Sequence, residues 1–132
     1  MAAKIVHMMI RVMDEAKSVA FYEKAFGLKV ADRLDFPDFT LIYMSNPETS
    51  FELELTVNKG RAEPYQQGSA YGHMALIVDD LASEHKRVGT AGLAPGDIKN
   101  MAHNGKPLAS FFFITDPDGY KIEVLQKGGR FG

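Results

Sequence analysis

The sequence predicts an α+β fold made of two copies of a βαβββ module that form a curved, concave sheet, and three observations carry that reading. The chain has 132 residues, 45% of them hydrophobic, which suits one ordinary domain with a real core. Hydrophobic periodicity switches from two to 3.6 and back in the same order in both halves. The halves also match residue by residue. His7-Met8-Met9-Ile10-Arg11-Val12-Met13-Asp14 lies over His73-Met74-Ala75-Leu76-Ile77-Val78-Asp79-Asp80 at an offset of 66, and Phe51-Glu52-Leu53-Glu54-Leu55 lies over Tyr120-Lys121-Ile122-Glu123-Val124 at an offset of 69. Internal repetition is a fold-level signal, and here it divides the chain into modules 4–58 and 71–125, a connector 59–70 and a tail 126–132.

Each element has a local reason. Residues 4–12 are an apolar-rich strand, and Asp14 follows as an N-cap. Ala16, Val19, Tyr22 and Phe26 recur at helical spacing until Gly27, where a C-terminal cap is expected. Strands 29–34 and 39–44 flank Asp35-Phe36-Pro37-Asp38, and Asn46-Pro47-Glu48-Thr49 supplies a turn before the alternating strand 51–57. In the second half, 71–78 reads as a strand and Asp79 or Asp80 as a cap. Leu81, His85 and Val88 form the helical stripe that Gly92 ends. Residues 95–107 read as a glycine- and proline-bearing stretch with a weak strand at 97–101. Strand 110–115, the tight turn Asp116-Pro117-Asp118-Gly119 and strand 120–125 complete the module, and the tail reads as loose.

Composition removes several function classes. The chain has no cysteine, so disulfide scaffolds, thiolate metal sites and thiol nucleophiles are excluded. Its apolar runs reach only four or five residues, far short of the ~20 a membrane helix needs. His7 and Arg11 interrupt the first thirteen residues, which argues against a signal peptide. Fifteen basic and seventeen acidic residues, a net charge of −2 and no basic block argue against a nucleic-acid surface. The expectation is a cytoplasmic protein with no membrane or nucleic-acid partner.

The repeat singles out four residues. In each module the first strand opens with a His (His7, His73) and the last contains a Glu (Glu54, Glu123). Alternation along a strand places these side chains opposite the apolar faces. Taken singly, such a His is an ordinary surface or hydrogen-bonding residue and such a Glu marks a wet face. Their coincidence across the repeat points to a divalent metal held by imidazole and carboxylate. Glu52 competes with Glu54 on the same face, but the repeat aligns Glu54 with Glu123 and Glu52 with Lys121. His85 and His103 have no repeat partner and default to structural or solvent roles. Arg11 shares the His7 face about 13 Å away, placed either to grip an anionic substrate or to make a rim salt bridge. Asn58 reads as a substrate contact or as a turn residue beside Gly60. Lys99 and Lys106 read as solvated charges on a flexible stretch.

At these residues the chain resembles glyoxalase I (lactoylglutathione lyase), of the vicinal oxygen chelate superfamily. The resemblance runs nearly end to end and includes Phe21-Tyr22-Glu23-Lys24-Ala25-Phe26-Gly27-Leu28, Glu54-Leu55-Thr56-Val57-Asn58 and Ala70-Tyr71-Gly72-His73-Met74-Ala75. It implies that His7, Glu54, His73 and Glu123 are the metal ligands. It implies that Arg11 and Asn58 bind the glutathione part of the substrate, with His73 also at the substrate. The implied activity is isomerisation of the hemithioacetal of methylglyoxal and glutathione to S-lactoylglutathione, with Glu123 the general base and Glu54 its repeat partner. The compact length resembles the nickel- or cobalt-dependent class rather than the zinc-dependent one. The resemblance further implies a homodimer in which His7 and Glu54 of one chain meet His73 and Glu123 of the other. Lys59 departs from the family pattern, which has an aromatic after the Asn, and residues 100–107 have no clear counterpart. The rival readings are a metal-dependent epimerase or dioxygenase of the same superfamily, or a non-catalytic small-molecule binding protein.

Overall fold

A computed structural model describes all of residues 1–132. The chain runs β1 (His7–Arg11), α1 (Glu15–Phe26), β2 (Lys29–Asp35), β3 (Phe39–Ser45), β4 (Glu52–Asn58), β5 (Met74–Val78), α2 (Leu81–Thr90), β6 (Lys99–His103), β7 (Lys106–Thr115) and β8 (Lys121–Gln126). It divides into two compact units, Met1–Gln66 and Gln67–Gly132. Each unit is βαβββ. No helix is long and apolar enough to cross a membrane.

The sheet of the first unit has the order β1-β4-β3-β2, with β1 parallel to β4 and the other neighbours antiparallel. The strand predicted over 4–12 is shorter in the structure because its partner ends. β4 starts at Glu52, whose N–H donates to the Val6 carbonyl, so Lys4 and Ile5 have no strand to pair with. Asp14 caps α1 by accepting from the Lys17 N–H at 3.0 Å, and Gly27 ends it at φ 65°, where a Cβ would be strained. The buried face of α1 differs from the predicted stripe. Ser18, Phe21, Tyr22 and Ala25 are buried, whereas Ala16 is exposed. Phe21 and Tyr22 are adjacent in sequence, are both buried and pack edge-on at 5.0 Å, which turns the helix onto that face. The core they join includes Ile10, Val12, Ile42, Met44, Leu53 and Leu55, none more than 5% exposed. Burial of such side chains contributes about 1.5–3 kcal/mol each.

The second unit repeats this plan, with the order β5-β8-β7-β6 and β5 parallel to β8. β5 begins at Met74 rather than at the predicted residue 71. Tyr71 instead acts as a brace, its ring edge-on to Tyr120 at 5.1 Å and its hydroxyl 3.5 Å from the Lys121 carbonyl. Asp80 is the cap of α2, accepting from the Ser83 N–H, and Leu81 and Val88 are buried beneath the helix. The Asp116–Gly119 turn forms as predicted. The Asp116 carboxylate accepts from the N–H groups of Asp118 and Tyr120, and Gly119 adopts φ 92°.

Residues 95–107 are not the flexible stretch the sequence suggested. They supply β6 and the start of β7, joined at Asn104 (φ 50°) and Gly105 (φ 76°). Those two positive φ values are the geometry of a two-residue hairpin turn, and Asn-Gly is the dipeptide that best accommodates it. Lys99 and Lys106 therefore lie on strands. The tail also has structure: the Gln126 side chain accepts from the Leu81 N–H and donates to the Asp79 carbonyl, and Gly128 bridges Phe131.

Candidate functional site

In the first unit, parallel pairing sets Met9 of β1 opposite Glu54 of β4. The buried side chains Ile10, Leu53 and Leu55 occupy the core face, so His7 and Glu54 emerge from the other. His7 Nε2 lies 3.5 Å from Glu54 Oε2, with the imidazole 40% and the carboxylate side chain 11% exposed. Of the two competing carboxylates it is Glu54 that the imidazole meets. Antiparallel pairing sets Tyr43 of β3 opposite Glu54. The Tyr43 ring stands edge-on to His7 at 5.8 Å, and the neighbouring Glu54 carboxylate, with burial, pushes its phenol up to about 12.

The second unit builds the same arrangement. Ala75 of β5 is opposite Glu123 of β8, and His73, immediately before β5, places Nε2 3.3 Å from Glu123 Oε1. Phe113 of β7 is opposite Glu123 and stands edge-on to His73 at 5.3 Å. Each unit thus presents one imidazole nitrogen and one largely buried carboxylate, a hard-to-borderline donor pair for a divalent cation. Neither unit by itself gathers three or more His, Cys, Asp or Glu into a group able to hold a metal ion.

The other sequence-selected residues lie away from the two pairs in the chain. Arg11 is exposed at the end of β1, opposite Thr56. Asn58 ends β4 half-buried and donates from its side-chain amide to the Tyr65 hydroxyl at 3.0 Å, and the Tyr65 ring carries the Arg61 guanidinium 4.2 Å above it. Lys59 grips the β2–β3 turn, with Nζ 2.8 Å from Asp35 Oδ1 and 2.6 Å from the Phe36 carbonyl oxygen. Lys59 and Thr40 together hold the Asp35 carboxyl below its ordinary pKa. His85 is a structural residue, bonded through Nε2 to the Gly96 carbonyl at 2.8 Å and packed edge-on to Phe112 at 5.0 Å. His103 ends β6, exposed.

Sequence reasoning passed over two residues beside the first pair. Tyr43 is one. The other is Thr56, only 7% exposed, whose Oγ1 is buried without a hydrogen-bond partner. Such a group is costly unless something satisfies it. The signal was available: Glu54, Thr56 and Asn58 alternate as polar side chains on one face of an otherwise apolar strand.

Paired βαβββ units, each carrying a His–Glu pair at the same register, define a glyoxalase-type protein. The family model for the Glyoxalase/Bleomycin resistance protein/Dioxygenase superfamily matches residues 4–124, and the chain belongs to that superfamily. It is 40% identical to the lactoylglutathione lyase of Neisseria meningitidis, over 94% of this chain and 91% of that protein. It is 37% identical to the lactoylglutathione lyase of Salmonella typhimurium, over 93% and 92% respectively. Among solved structures it resembles the trypanothione-dependent glyoxalase I of Leishmania major, with 32% identity, a TM-score of 0.74 and coverage of 95% of this chain and 87% of that one.

Proposed function

We infer that this chain is a lactoylglutathione lyase, isomerising the hemithioacetal of methylglyoxal and glutathione to S-lactoylglutathione and so removing a reactive aldehyde. The observation that carries the reading is the duplicated His–Glu pair, at 3.5 and 3.3 Å, in a chain whose relatives of matching length are lactoylglutathione lyases.

His7, Glu54, His73 and Glu123 are the proposed ligands of one divalent metal, and an all-imidazole-and-carboxylate donor set fits such an ion. When bound, the metal supplies Lewis acidity and a template for two adjacent substrate oxygens. Glu123 takes the proton from the hemithioacetal carbon and delivers it to the neighbouring carbonyl carbon while the hydroxyl proton passes to the adjacent oxygen, so the net change is an internal redox exchange with no external oxidant. The Glu123 side chain is only 14% exposed, so little bulk water competes for it. Arg11 and Asn58 hold the carboxylate and amide groups of the glutathione moiety, and His73 also borders the substrate.

Two donors per unit suit assembly of the site from two chains, with His7 and Glu54 of one chain opposite His73 and Glu123 of a second. Within this reading residues 1–132 form one glyoxalase-like domain whose modules, 4–58 and 71–125, are joined by the connector 59–70 and followed by the tail 126–132. Nickel or cobalt is the proposed metal rather than zinc, after the class of the family that the chain resembles. The cytoplasm is its compartment, because glutathione is kept reduced there.

The test is reconstitution. Chelator-stripped protein should lack isomerase activity and regain it with Ni2+ or Co2+ more than with Zn2+. Failure to form S-lactoylglutathione with every metal tried would overturn the proposal.

A further inference from the structure

The connector that follows β4 closes back on the end of that strand through one side-chain hydrogen bond. Asn58, the last residue of β4, shares by alternation the face of Glu54 and Thr56. Its Nδ2 donates to the Tyr65 hydroxyl oxygen at 3.0 Å, and the contact is part-buried. The Tyr65 ring is in turn covered by the Arg61 guanidinium, 4.2 Å from its centroid. That guanidinium is itself anchored, with Nε donating to the Glu63 carbonyl at 2.8 Å and Nη2 to the Pro64 carbonyl at 3.4 Å. Gly60, at φ 81°, permits the reversal that returns residue 65 to residue 58. Lys59 is committed elsewhere, to Asp35 and the Phe36 carbonyl.

On the lyase reading above, which this deepens, we propose that Tyr65, steadied by Arg61, is a positioning residue for the thiol part of the substrate. It fixes the Asn58 amide so that Oδ1 is presented to an N–H group of the thiol carrier. The side-chain amide of an asparagine turns over a broad, roughly two-fold torsion and can offer either its oxygen or its NH2. With Nδ2 given to a phenol oxygen, the end left for a ligand is the acceptor. The Arg11 guanidinium, on the neighbouring strand opposite Thr56, supplies donors instead. Together they ask for a carrier with a carboxylate for Arg11 and an N–H for Asn58. An amino-acid or peptide thiol has both groups; a simple alkyl thiol has neither.

The experiment is a double-mutant cycle on Tyr65→Phe and Asn58→Ala, read by calorimetric binding of S-methylglutathione, which cannot turn over, and by steady-state kinetics. Tyr65→Phe keeps the ring under Arg61 and removes only the hydroxyl, and thermal unfolding verifies the fold. It should weaken S-methylglutathione binding and raise KM by about three- to tenfold, the range for one lost hydrogen bond. Its kcat should stay within about twofold of the parent, the pattern of lost ground-state binding, and its affinity for titrated Co2+ should equal the parent's. In the Asn58→Ala background, Tyr65→Phe should change binding by less than about twofold further, because its effect passes through Asn58. Arg61→Ala should act in the same direction by about two- to threefold, as for an exposed cation–π contact. Parental binding in Tyr65→Phe, or an undiminished loss when that change is made in Asn58→Ala, would overturn the proposal. So would a matching fall in Co2+ affinity, which would mark a general loss of structure. A parent protein that binds S-methylglutathione without isomerising the hemithioacetal would overturn the lyase reading alone, and the binding cycle would still judge Tyr65. A parent that does neither would overturn both.

Discussion

Set side by side, the two units show what a duplicated module preserves and what it releases. Both keep a His and a Glu within 3.5 Å, a parallel first and last strand in matching register, an Asp cap on the helix and a fully buried aliphatic under the glutamate strand. Around this shared frame they diverge. In the first unit the ring against the pair is that of Tyr43, whereas in the second it is that of Phe113, itself edge-on to Phe111. The helix of the first unit ends in a left-handed glycine; that of the second ends through Ala91 in a right-handed conformation with Gly92 beyond it at φ 80°. The frame fixes the shared His–Glu geometry, and the lining is where the two units differ.

The sharpest way to separate the halves is to neutralise each carboxylate. Glu123→Gln should lower kcat by about 10³, within the range for loss of a general base, while metal is retained. Glu54→Gln should weaken metal binding more and kcat at saturating metal less; equal effects on kcat would erase the division of labour. Removing the imidazoles should expose the symmetry instead. His7→Ala and His73→Ala should each weaken metal binding by at least about 100-fold, beyond what loss of an indirect partner usually costs, and by similar factors in a metal titration. A variant that kept parent affinity would not be a ligand.

Smaller effects probe the frame. Leu53 and Ile122 occupy the same place under the glutamate strand, 3% and 0% exposed, and each mutation to Ala should cost about 2–5 kcal/mol in denaturant unfolding. Asp14→Ala should cost about 1 kcal/mol through loss of its cap, and Asp80→Ala should lower the thermal midpoint in the same direction. Hydrogen bonds from the backbone and hydroxyl of Ser83 hold Asp80 below its ordinary value of 3.8. Its contribution is therefore present above that value and is lost as pH falls through the lowered folded value. The gap in midpoint between the parent and Asp80→Ala should shrink as the pH drops below 3.8.

Much of this was legible in the sequence because repetition compares the chain with itself. His7 matched His73 and Glu54 matched Glu123 before any fold was known, and Asp14, Gly27 and Gly119 signalled their turns through local chemistry alone. What escaped depended on partners distant in sequence. The start of β1 is set by where β4 begins, and the buried face of α1 by two adjacent aromatic side chains. Tyr43 gave no polar signal within an apolar strand; only the register with Glu54 reveals its hydroxyl. Strands 97–101 and 110–115 anticipated β6 and most of β7, but the Asn104-Gly105 turn joining them was missed because Pro95, Gly96 and Pro107 around it read as loop.

Complementation between two inactive chains tests most directly the claim that each unit contributes half of a metal site. His7→Ala and His73→Ala proteins, each inactive alone, are mixed under subunit exchange and assayed with metal and hemithioacetal. If half-sites from different chains pair, a mixed dimer carries one doubly damaged site and one intact site, and the mixture should regain about a quarter of parental activity. A mixture as inactive as its components, with mixed dimers shown to be present, would contradict it.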